Sequence, residues 1–476
     1  MGMWARQGSG LDRRRFLAAA GGVGLGLVAG CGASSSRADL LRAGTGGGTL
    51  RAEPLTLDLA GEFVSTWGYN GVVPGPEIRL RQGETVRIRL ENRLPDPTTI
   101  HWHGLSLPNP MDGVPDVTQS AVARDGSFSY QFVVPDAGSF MYHSHFGHQL
   151  DRGLYGPLIV EPRTETLAYD REYTLMLDDW RDGIKSSAGR ESHSGHASAN
   201  TGSGSGMEAG PNAGPKMGGR SYPLVLVNGR PRRDPQTFAV RRGERIRLRV
   251  MNIAADTGFR FGVEGHRLTV THTDGMPVEP VVVDALRLGM GERYDVVVEA
   301  GNPGAWQIAV VPEAKRGFGR AVLRYVDSGR SAAPPADARP TELDGRLAAY
   351  ADLGYAGERT FPDRAPDRVH DLTLTGNEIN GQSFPDAEPL PAAAGEWVRV
   401  TMRNDSSMWH PMHLHGHHFR VSTPGGNGPL KDTMTVPGGE TATFDFLSNH
   451  PGKWMFHCHN HYHMDNGMAR IVSYRG

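Results

Sequence analysis

One ten-residue pattern occurs three times in the chain, as GETVRIRLEN at 83–92, GERIRLRVMN at 243–252 and GEWVRVTMRN at 395–404. In each copy apolar residues alternate with polar ones, which is the period of a β-strand that rests one face on a core. Most of the polar positions are arginine, and we expect these arginines to face solvent. An Asn-Gly pair, typical of a tight turn, precedes every copy, at 70–71, 228–229 and 380–381. The copies begin 160 and 152 residues apart, so we predict three β-sandwiches of one type.

Length and composition agree with this prediction. The chain has 476 residues, enough for about three domains on a prior of ~150 residues each. Its 63 glycines and 33 prolines suit many short strands joined by turns. The formal net charge is −2, and no long run of like charge contradicts it, which argues against a nucleic-acid partner.

Four short segments carry histidine patterns that suit metal binding. They are His101-Trp102-His103, His143-Ser144-His145, the segment from His410 to His415, and the segment from His457 to Met468. Side chains alternate along a strand, so the two histidines of a His-x-His pair share one face. A single pair is weak support, because surface strands often carry one. The four segments together place ten of the 20 histidines at such positions, which indicates a large metal centre.

The last segment also contains a cysteine, Cys458, between His457 and His459. We predict a strand followed by a turn in this segment, and on a strand Cys458 points away from the face that carries those two histidines. A cysteine, two histidines and a distant methionine form the ligand set of a blue-copper electron-transfer site, and the histidine face suits a second copper site. The segment would then join both sites covalently. The alternative, an unligated core thiol at Cys458, does not explain its neighbours.

These motifs resemble those of the multicopper oxidases over about residues 50–476. The resemblance implies an all-β fold of three consecutive cupredoxin-type Greek-key β-sandwiches and four copper ions. It assigns the type 1 copper to His410, Cys458 and His463, with Met468 as axial ligand, and the type 2 copper to His101 and His413. It assigns the type 3 pair to His103, His143, His145, His415, His457 and His459. The resulting cluster is expected between the first and third domains, with the second domain as a structural spacer.

The repeats and the composition of the segments between them predict the domain boundaries. The expected divisions are a signal segment at 1–30, a tether at 31–50, a first domain at 51–164, a second at 165–328, a linker at 329–364 and a third domain at 365–476. The second domain contains a Gly/Ser/Ala-rich loop at 186–220 with two histidines and two methionines. Its composition indicates disorder, although imidazole and thioether groups also suit copper binding.

The N-terminus predicts export. Residues 12–17, Asp-Arg-Arg-Arg-Phe-Leu, resemble a twin-arginine signal, and an apolar stretch too short to span a membrane follows. Cys31 ends a segment that resembles a lipoprotein cleavage box, so we expect a lipid anchor on Cys31; a plain signal peptide with an incidental cysteine is the alternative. With Cys458 on copper, neither of the two cysteines is left for a disulfide. We expect an exported, monomeric protein of the cell envelope whose membrane contact is this anchor.

The resemblance also implies that the chain couples one-electron oxidation of a reductant to four-electron reduction of O2 to water, and this reaction requires protons. Asp112 matches in spacing an acidic residue that assists O2 reduction in related bacterial enzymes, and Asp116 is its rival. The alternative is a turn aspartate before glycine. Where cuprous-oxidase relatives place a proton-relaying glutamate this chain has Met464, and Asp465 is the nearest acid.

The reducing substrate is expected to meet the chain near His410. Asp405 and Met408 precede this residue, and a carboxylate with a thioether would suit docking of Cu(I), as in the exported copper-resistance oxidases that this set resembles. The alternatives are that Asp405 is a turn residue and that Met408 only packs against its neighbours. A laccase-type phenol oxidase is the rival activity. A copper nitrite reductase would use the same cupredoxin-type parts, but such an enzyme is expected to have two domains and no eight-histidine cluster. A non-catalytic envelope scaffold or copper store is the remaining alternative, although such a relative would be expected to have lost ligands.

Overall fold

The computed structural model describes residues 41–42, 47–181, 222–328 and 332–475. The predicted signal segment, Cys31 and the loop 186–220 therefore lie outside the described residues. β-Strands account for 49% of the residues and helices for 5%, so the predicted all-β class is confirmed. In the described part of the chain, no helix is both long and apolar enough to cross a membrane.

The first sandwich consists of nine strands in two sheets. In chain order the strands are β1 (Leu41–Arg42), β2 (Gly48–Asp58), β3 (Phe63–Tyr69), β4 (Ile78–Arg81), β5 (Thr85–Asn92), β6 (His101–His103), β7 (Ser127–Val133), β8 (Gly138–His143) and β9 (Tyr155–Glu161). The sheet orders are β1-β4-β9-β8-β6 and β3-β2-β5-β7. Short 3₁₀ helices lie at Asn109–Met111 and Leu150–Arg152.

The second sandwich has twelve strands among the described residues. They are β10 (Arg171–Trp180), β11 (Leu224–Val227), β12 (Arg230–Pro231), β13 (Thr237–Val240), β14 (Arg245–Asn252), β15 (Phe259–Val263), β16 (Leu268–Thr273), β17 (Met276–Val283), β18 (Ala285–Leu288), β19 (Arg293–Glu299), β20 (Ala305–Pro312) and β21 (Gly319–Tyr325). The sheet orders are β12-β11-β10-β14-β19-β16-β17 and β13-β21-β20-β15-β18. Two 3₁₀ helices, Thr341–Asp344 and Tyr350–Asp352, follow in the connection to the third sandwich.

The third sandwich has eleven strands and one short α-helix. They are β22 (Arg368–Thr375), β23 (Glu378–Ile379), β24 (Leu390–Ala393), β25 (Trp397–Asn404), β26 (His410–Leu414), β27 (Phe419–Val421), β28 (Leu430–Lys431), β29 (Thr433–Val436), β30 (Thr441–Leu447), β31 (Lys453–Cys458), α1 (His461–Asp465) and β32 (Ala469–Arg475). The sheet orders are β23-β22-β25-β30-β27-β28 and β24-β32-β31-β26-β29.

The three repeated segments form equivalent strands, as predicted. β5, β14 and β25 each pair in parallel with an early strand of their sandwich and antiparallel with a later one. The asparagine of each preceding Asn-Gly pair has φ of 53–54° and the glycine φ of 64–74°, which fits a tight turn with both residues in the left-handed region. The recurring sequence is therefore a recurring piece of sheet.

The asparagine that ends each repeat, Asn92, Asn252 or Asn404, ties down the loop after the strand. Its Oδ1 accepts the backbone N–H two residues further on, at 2.9–3.0 Å. Its Nδ2 donates to carbonyls of that loop and of a neighbouring segment at 2.7–3.1 Å; the acceptors are those of Asp96 and Val122, Thr257 and Leu288, and Met408, Val436 and Pro437. All three side chains are buried. In the first and third sandwiches this loop leads to a histidine-bearing strand.

The apolar cores place the first and third sandwiches against each other. Buried residues of both belong to one continuous cluster, which includes Trp102, Tyr130, Phe444 and Cys458. The second sandwich has a core of its own, to which Trp409 of the third sandwich contributes. The histidine segments of the outer sandwiches therefore converge where their cores meet.

Two details of the sequence prediction are wrong. Arg247 and Arg249 of β14 were expected in solvent but are buried, because they pair with Asp295 and nearby glutamates. The segment after Cys458 was expected to be a turn, but it contains the one-turn helix α1.

The charge cluster around Asp295 holds the first sandwich to the second. Asp295 lies 2.6 Å from Arg247 Nη2 and 3.2 Å from Arg249 Nη1, and it accepts the Ser139 hydroxyl of the first sandwich at 2.6 Å. Burial alone would raise the pKa of Asp295, but the two guanidinium groups hold it below its usual range. Its stabilising effect is therefore present above pH about 4 and is lost as the pH falls further.

We predict that Asp295→Asn lowers the free energy of unfolding by about 3–5 kcal/mol at pH 7, because two buried guanidinium groups lose their counter-charge. The difference from wild type should narrow by about 1 kcal/mol per pH unit below pH 4, where the unfolded carboxyl protonates. Thermal and denaturant unfolding at several pH values measure the loss of stability and its dependence on pH. Asp125→Asn, in an exposed pair with Arg93 at 3.1 Å, is the control and should change stability by less than about 1 kcal/mol. If the stability difference between Asp295→Asn and wild type did not change with pH, the stabilising role of the ionised Asp295 carboxylate would be contradicted.

Candidate metal centre

Two pairs of neighbouring strands supply the histidines. In the first sandwich β6 pairs with β8, which sets His101 opposite His143. In the third sandwich β26 pairs with β31, which sets His413 opposite His457. The second histidine of each His-x-His pair lies two residues on. His103 ends β6, and the other three, His145, His415 and His459, lie just beyond the ends of their strands. All eight side chains are buried.

The eight histidines form three groups whose ligand atoms lie within 4.8 Å of one another. The groups are His101 with His103 and His413, His103 with His143 and His459, and His145 with His415 and His457. Each group combines histidines of the first and third sandwiches, as predicted. Together they account for all eight histidines expected in the cluster.

Hydrogen bonds show which ring nitrogens are available to a cation. Nδ1 of His101 lies 2.9 Å from the Asp112 carbonyl, and Nδ1 of His413 lies 2.9 Å from the Asp432 carbonyl. A carbonyl only accepts, so both Nδ1 atoms carry the proton and both Nε2 atoms present lone pairs. These two Nε2 atoms face each other at 3.4 Å. Two lone pairs at that distance repel, and a metal ion between them would relieve the repulsion.

The same arrangement recurs in a second group. His457 donates from Nδ1 to the Cys458 carbonyl at 2.9 Å, and His415 donates from Nδ1 to the Asp112 carboxylate at 2.9 Å. Their Nε2 atoms lie 3.0 Å apart. Burial holds the pKa of both imidazoles well below the usual value, so the rings are neutral. Neutral imidazoles with fixed tautomers fit copper.

A separate site forms around Cys458. Its Sγ lies 3.7 Å from Nδ1 of His410 and 3.6 Å from Nδ1 of His463, and the three side chains are buried. Met468 is fully buried in the same apolar cluster, and its carbonyl accepts the Cys458 N–H at 3.1 Å. The structure therefore brings together the soft sulfur and imidazole donors that the sequence predicted for a blue-copper site.

Helix α1 orients the second imidazole of this site. Asn460 caps the helix, and its Oδ1 accepts the backbone N–H groups of Tyr462 and His463 at 3.2 Å. Its Nδ2 donates to Asp256 of the second sandwich at 2.6 Å. Burial raises the pKa of the Cys458 thiol, and a hydrogen bond from the Asn460 backbone opposes the rise. A metal is the partner that would favour the thiolate here.

Asp112 contacts the histidine cluster, and Asp116 does not. Besides its contact to His415, the Asp112 carboxylate lies 3.2 Å from Nδ1 of His101, and the residue is fully buried. Asp116 is an exposed turn residue with φ of 61°. The structure therefore favours Asp112 over its rival by position.

Asp405 and Met408, the two residues expected to meet the substrate, have different surroundings. Asp405 is exposed and pairs with Arg403 at 2.9 Å. Met408 is half-buried, and its carbonyl accepts a hydrogen bond from Asn404 at 2.7 Å. The closest polar neighbour of His410 is Ser406, whose Oγ lies 3.0 Å from Nε2. Ser406 had no signal in the sequence beyond its position.

A narrow crevice with no room for a water-sized sphere borders the cluster. Met464 lines it together with Leu150, and the histidines that line it are His143, His145, His457, His459 and His461. Asp465 is exposed and lies 3.2 Å from Nε2 of His148. The side chain facing the cluster at this point is therefore a thioether, and Asp465 is turned to the surface.

The two described residues that flank the loop 186–220 lie beside α1. Arg181 donates to the Tyr462 hydroxyl at 3.3 Å, and Tyr222 donates to the same hydroxyl at 3.3 Å.

Sequence reasoning missed two residues that touch the cluster. Asp432 contacts Nε2 of His103 at 3.0 Å, and Gly291 of the second sandwich contacts His103 and His459. A Cβ on Gly291 would lie 2.9 Å from His459 and 3.2 Å from His103. Neither residue belongs to a local motif, because long-range packing alone brings it to the histidines.

We predict that Gly291→Ala lowers copper binding at the histidine cluster and leaves the Cys458 site unchanged, because the new methyl group would displace His459. Copper per chain and the blue absorption of the Cys458 site separate the two effects. Gly243→Ala is the matched control: its φ is +85°, against +86° at Gly291, but a Cβ there meets nothing within 4 Å. Equal copper loss in both variants would mean that backbone strain, not the contact with His459, is responsible.

Comparison with known proteins supports this copper assignment. Family models described as multicopper oxidase match residues 53–165, 171–328 and 360–475. Multicopper oxidase MmcO of Mycobacterium tuberculosis is 36% identical, with 99% of each chain covered. Copper resistance protein A of Escherichia coli is 29% identical over 85% of this chain and 88% of that protein. Laccase-2 of Botryotinia fuckeliana is 28% identical over 88% of this chain and 80% of that protein.

The same fold is found in a solved structure. The crystal structure of Fet3p, described as a multicopper oxidase that functions in iron import, matches with a TM-score of 0.75 over 92% of this chain and 90% of that one, at 21% identity. Structural neighbours of this kind have cupredoxin-like domains, which confirms the predicted type of sandwich. The chain belongs to the multicopper oxidase family, and it is a copper-dependent oxidoreductase that acts on O2 and a reductant.

Proposed function

We propose that this chain holds four copper ions and couples one-electron oxidation of a reductant to four-electron reduction of O2 to water. The observation that carries the proposal is the segment His457–His463, in which a single stretch of backbone contributes to the Cys458 site and to two of the three histidine groups. When bound, the copper ions accept electrons one at a time and deliver four of them, with four protons, to O2. The remaining steps are tasks of the protein's own residues.

The proposed assignment of ions follows the geometry of the groups. The type 1 copper would be held by His410, Cys458 and His463 with Met468 as axial ligand, and the type 2 copper by His101 and His413. The type 3 pair would be held by His103, His143 and His459 on one side and by His145, His415 and His457 on the other. The grouping of ligand atoms within 4.8 Å supports this division, with His103 common to the His101/His413 group and the His143/His459 group.

Cys458 connects the two centres. It is bonded through the backbone to His457 on one side and to His459 on the other, and these two histidines belong to different groups of the cluster. An electron that reaches the Cys458 sulfur therefore has a short covalent path towards either group.

We assign Asp112 a role in proton supply. Its carboxylate accepts a hydrogen bond from Nδ1 of His415 and lies 3.2 Å from Nδ1 of His101, so it can orient both rings and hold a proton at a carboxylate oxygen beside them. Met464 cannot take part in such a relay, because a thioether carries no transferable proton.

We propose Cu(I) as the reductant and copper resistance as the role. The similarity to copper resistance protein A of Escherichia coli supports this choice, as do the carboxylate of Asp405 and the thioether of Met408 near His410. A laccase-type oxidation of phenols is the second candidate, supported by the similarity to a fungal laccase. Export, the lipid anchor on Cys31, the monomeric state, the domain boundaries and copper binding by the loop 186–220 stay predictions from the sequence.

We expect the copper-loaded protein to consume O2 faster with Cu(I) than with a dimethoxyphenol. The double variant Asp405→Ala/Met408→Ala should lower the rate with Cu(I) about tenfold and leave the phenol rate near wild type, because only the metal ion needs these donors. Asp234→Ala is the control, since Asp234 is an exposed partner of Arg230 at 2.6 Å in the second sandwich. Faster uptake with the phenol, unaffected by the double variant, would make the enzyme a laccase.

We further expect Cys458→Ser to keep the fold while losing the blue absorption and essentially all O2 uptake, because serine cannot supply the thiolate that the electron enters. Visible absorption, copper content and an oxygen electrode measure the three properties. Surviving turnover would contradict the covalent path. A wild-type protein that binds four coppers but consumes no O2 with either donor would favour a copper store or scaffold.

A further inference from the structure

His103 presents a different ring nitrogen to the cluster from its neighbours. His101, His143, His413, His415 and His457 all use Nδ1 for hydrogen bonds to the protein, which leaves Nε2 for a metal. In His103 it is Nε2 that is engaged, at 3.0 Å from Asp432 Oδ1 and 3.2 Å from Thr433 Oγ1. Its Nδ1 is buried without a hydrogen-bond partner among the described residues.

Asp432 sets this orientation. An ionised carboxylate only accepts hydrogen bonds, so the proton of His103 must sit on Nε2 and the lone pair on Nδ1. Both oxygens of Asp432 accept hydrogen bonds from the Arg293 guanidinium, and Oδ1 also accepts one from the Thr433 hydroxyl at 2.8 Å. Asp432 is therefore an obligatory acceptor beside the cluster.

Arg293 keeps Asp432 in place and charged. Its Nη1 and Nη2 donate to Oδ1 and Oδ2 of Asp432 at 2.6 and 2.7 Å, a two-pronged pair with both side chains fully buried. The planar guanidinium matches the carboxylate in a way that lysine cannot. A rotation of the Asp432 carboxylate would break two hydrogen bonds at once.

Arg293 belongs to the second sandwich and reaches both of the others. It begins β19, its Nε donates to the Ser139 carbonyl of the first sandwich at 3.2 Å, and its terminal nitrogens meet Asp432 of the third. Asp274, also of the second sandwich, accepts the backbone N–H of Thr433 at 3.1 Å. The sandwich that supplies none of the eight histidines thus fixes the group that orients one of them.

We infer that Arg293 and Asp432 are positioning residues that select the metal-facing nitrogen of His103, so that the docked second sandwich determines whether the cluster retains copper. The inference rests on the proposed function, because it presupposes copper in the cluster. The inference gives the second sandwich a positioning role in addition to the structural-spacer role expected from the sequence.

The chemistry predicts a selective defect. Arg293→Met removes both hydrogen bonds that fix the orientation of the buried Asp432 carboxylate, which leaves the carboxylate free to rotate away from His103. In Asp432→Asn the side-chain amide can donate to Nε2 of His103, which moves the ring proton to Nδ1 and removes the lone pair from the cluster. Changes to such supporting partners typically weaken metal binding about 10–100-fold.

The experiment compares wild type, Arg293→Met, Arg293→Lys and Asp432→Asn. Arg399→Met is the matched control, because Arg399 makes the same two-pronged contact with the buried Asp445, at 2.7 and 2.9 Å, on the other sheet of the third sandwich. Each protein is loaded with copper and dialysed against a chelator. Copper per chain and the electron paramagnetic resonance signal of the type 2 copper report the cluster, blue absorption reports the Cys458 site, and unfolding of the metal-free form reports the fold.

We expect Arg293→Met and Asp432→Asn to lose the cluster copper at chelator concentrations about 10–100-fold lower than wild type, while blue absorption persists. Arg293→Lys should fall between, and Arg399→Met should match wild type. Unchanged retention in the first two variants would overturn the inference. The inference would also be overturned if the variants lost blue absorption and metal-free stability to the same extent as cluster copper, because Arg293 and Asp432 would then be merely structural. A wild-type protein without a type 2 signal would instead refute the proposed function.

Discussion

The arrangement of this protein depends on lone pairs that face one another inside it. Hydrogen bonds to carbonyls and carboxylates hold the Nδ1 protons of several imidazoles, and this leaves pairs of Nε2 atoms 3.0 and 3.4 Å apart in a buried space. Such contacts are unfavourable without a cation, so copper and the fold should stabilise each other. Because each group draws on both outer sandwiches, copper would also hold those two sandwiches together.

A rigid support is needed to hold these imidazoles together against the repulsion of their lone pairs, and buried ion pairs contribute to that support. Asp295 pairs with Arg247 and Arg249, and Asp432 pairs with Arg293. Buried pairs of this kind contribute little net stability compared with apolar packing, but each partner becomes costly once the other is removed. They therefore define how the sandwiches meet more than they strengthen the fold. The second sandwich supplies Asp295 with its two arginines and also Arg293. Its Arg293 pair with Asp432 explains why a domain without copper ligands sits against the cluster.

Most of the fold and the ligand set could be predicted from local patterns. The three repeated strands, their Asn-Gly turns and the four histidine segments obey periodicities of two residues that hold wherever a strand forms. The groups around His103, His145 and Cys458 assemble from the residues expected. The buried arginines of β14 were mispredicted, because alternation identifies an outward face but not whether another sandwich covers it.

The sequence by itself determined the class of protein, the type of domain and the residues able to bind copper, because strand period and ligand chemistry depend on near neighbours in the chain. Only the tertiary structure decided which nitrogen of each histidine faces the cluster, since the partners that set the tautomers include residues as distant as Asp432 from His103. It also decided that Gly291 and Arg293 border or support the site and that Asp465 is turned to the surface. Those outcomes depend on the packing of separate sandwiches, for which no local pattern exists.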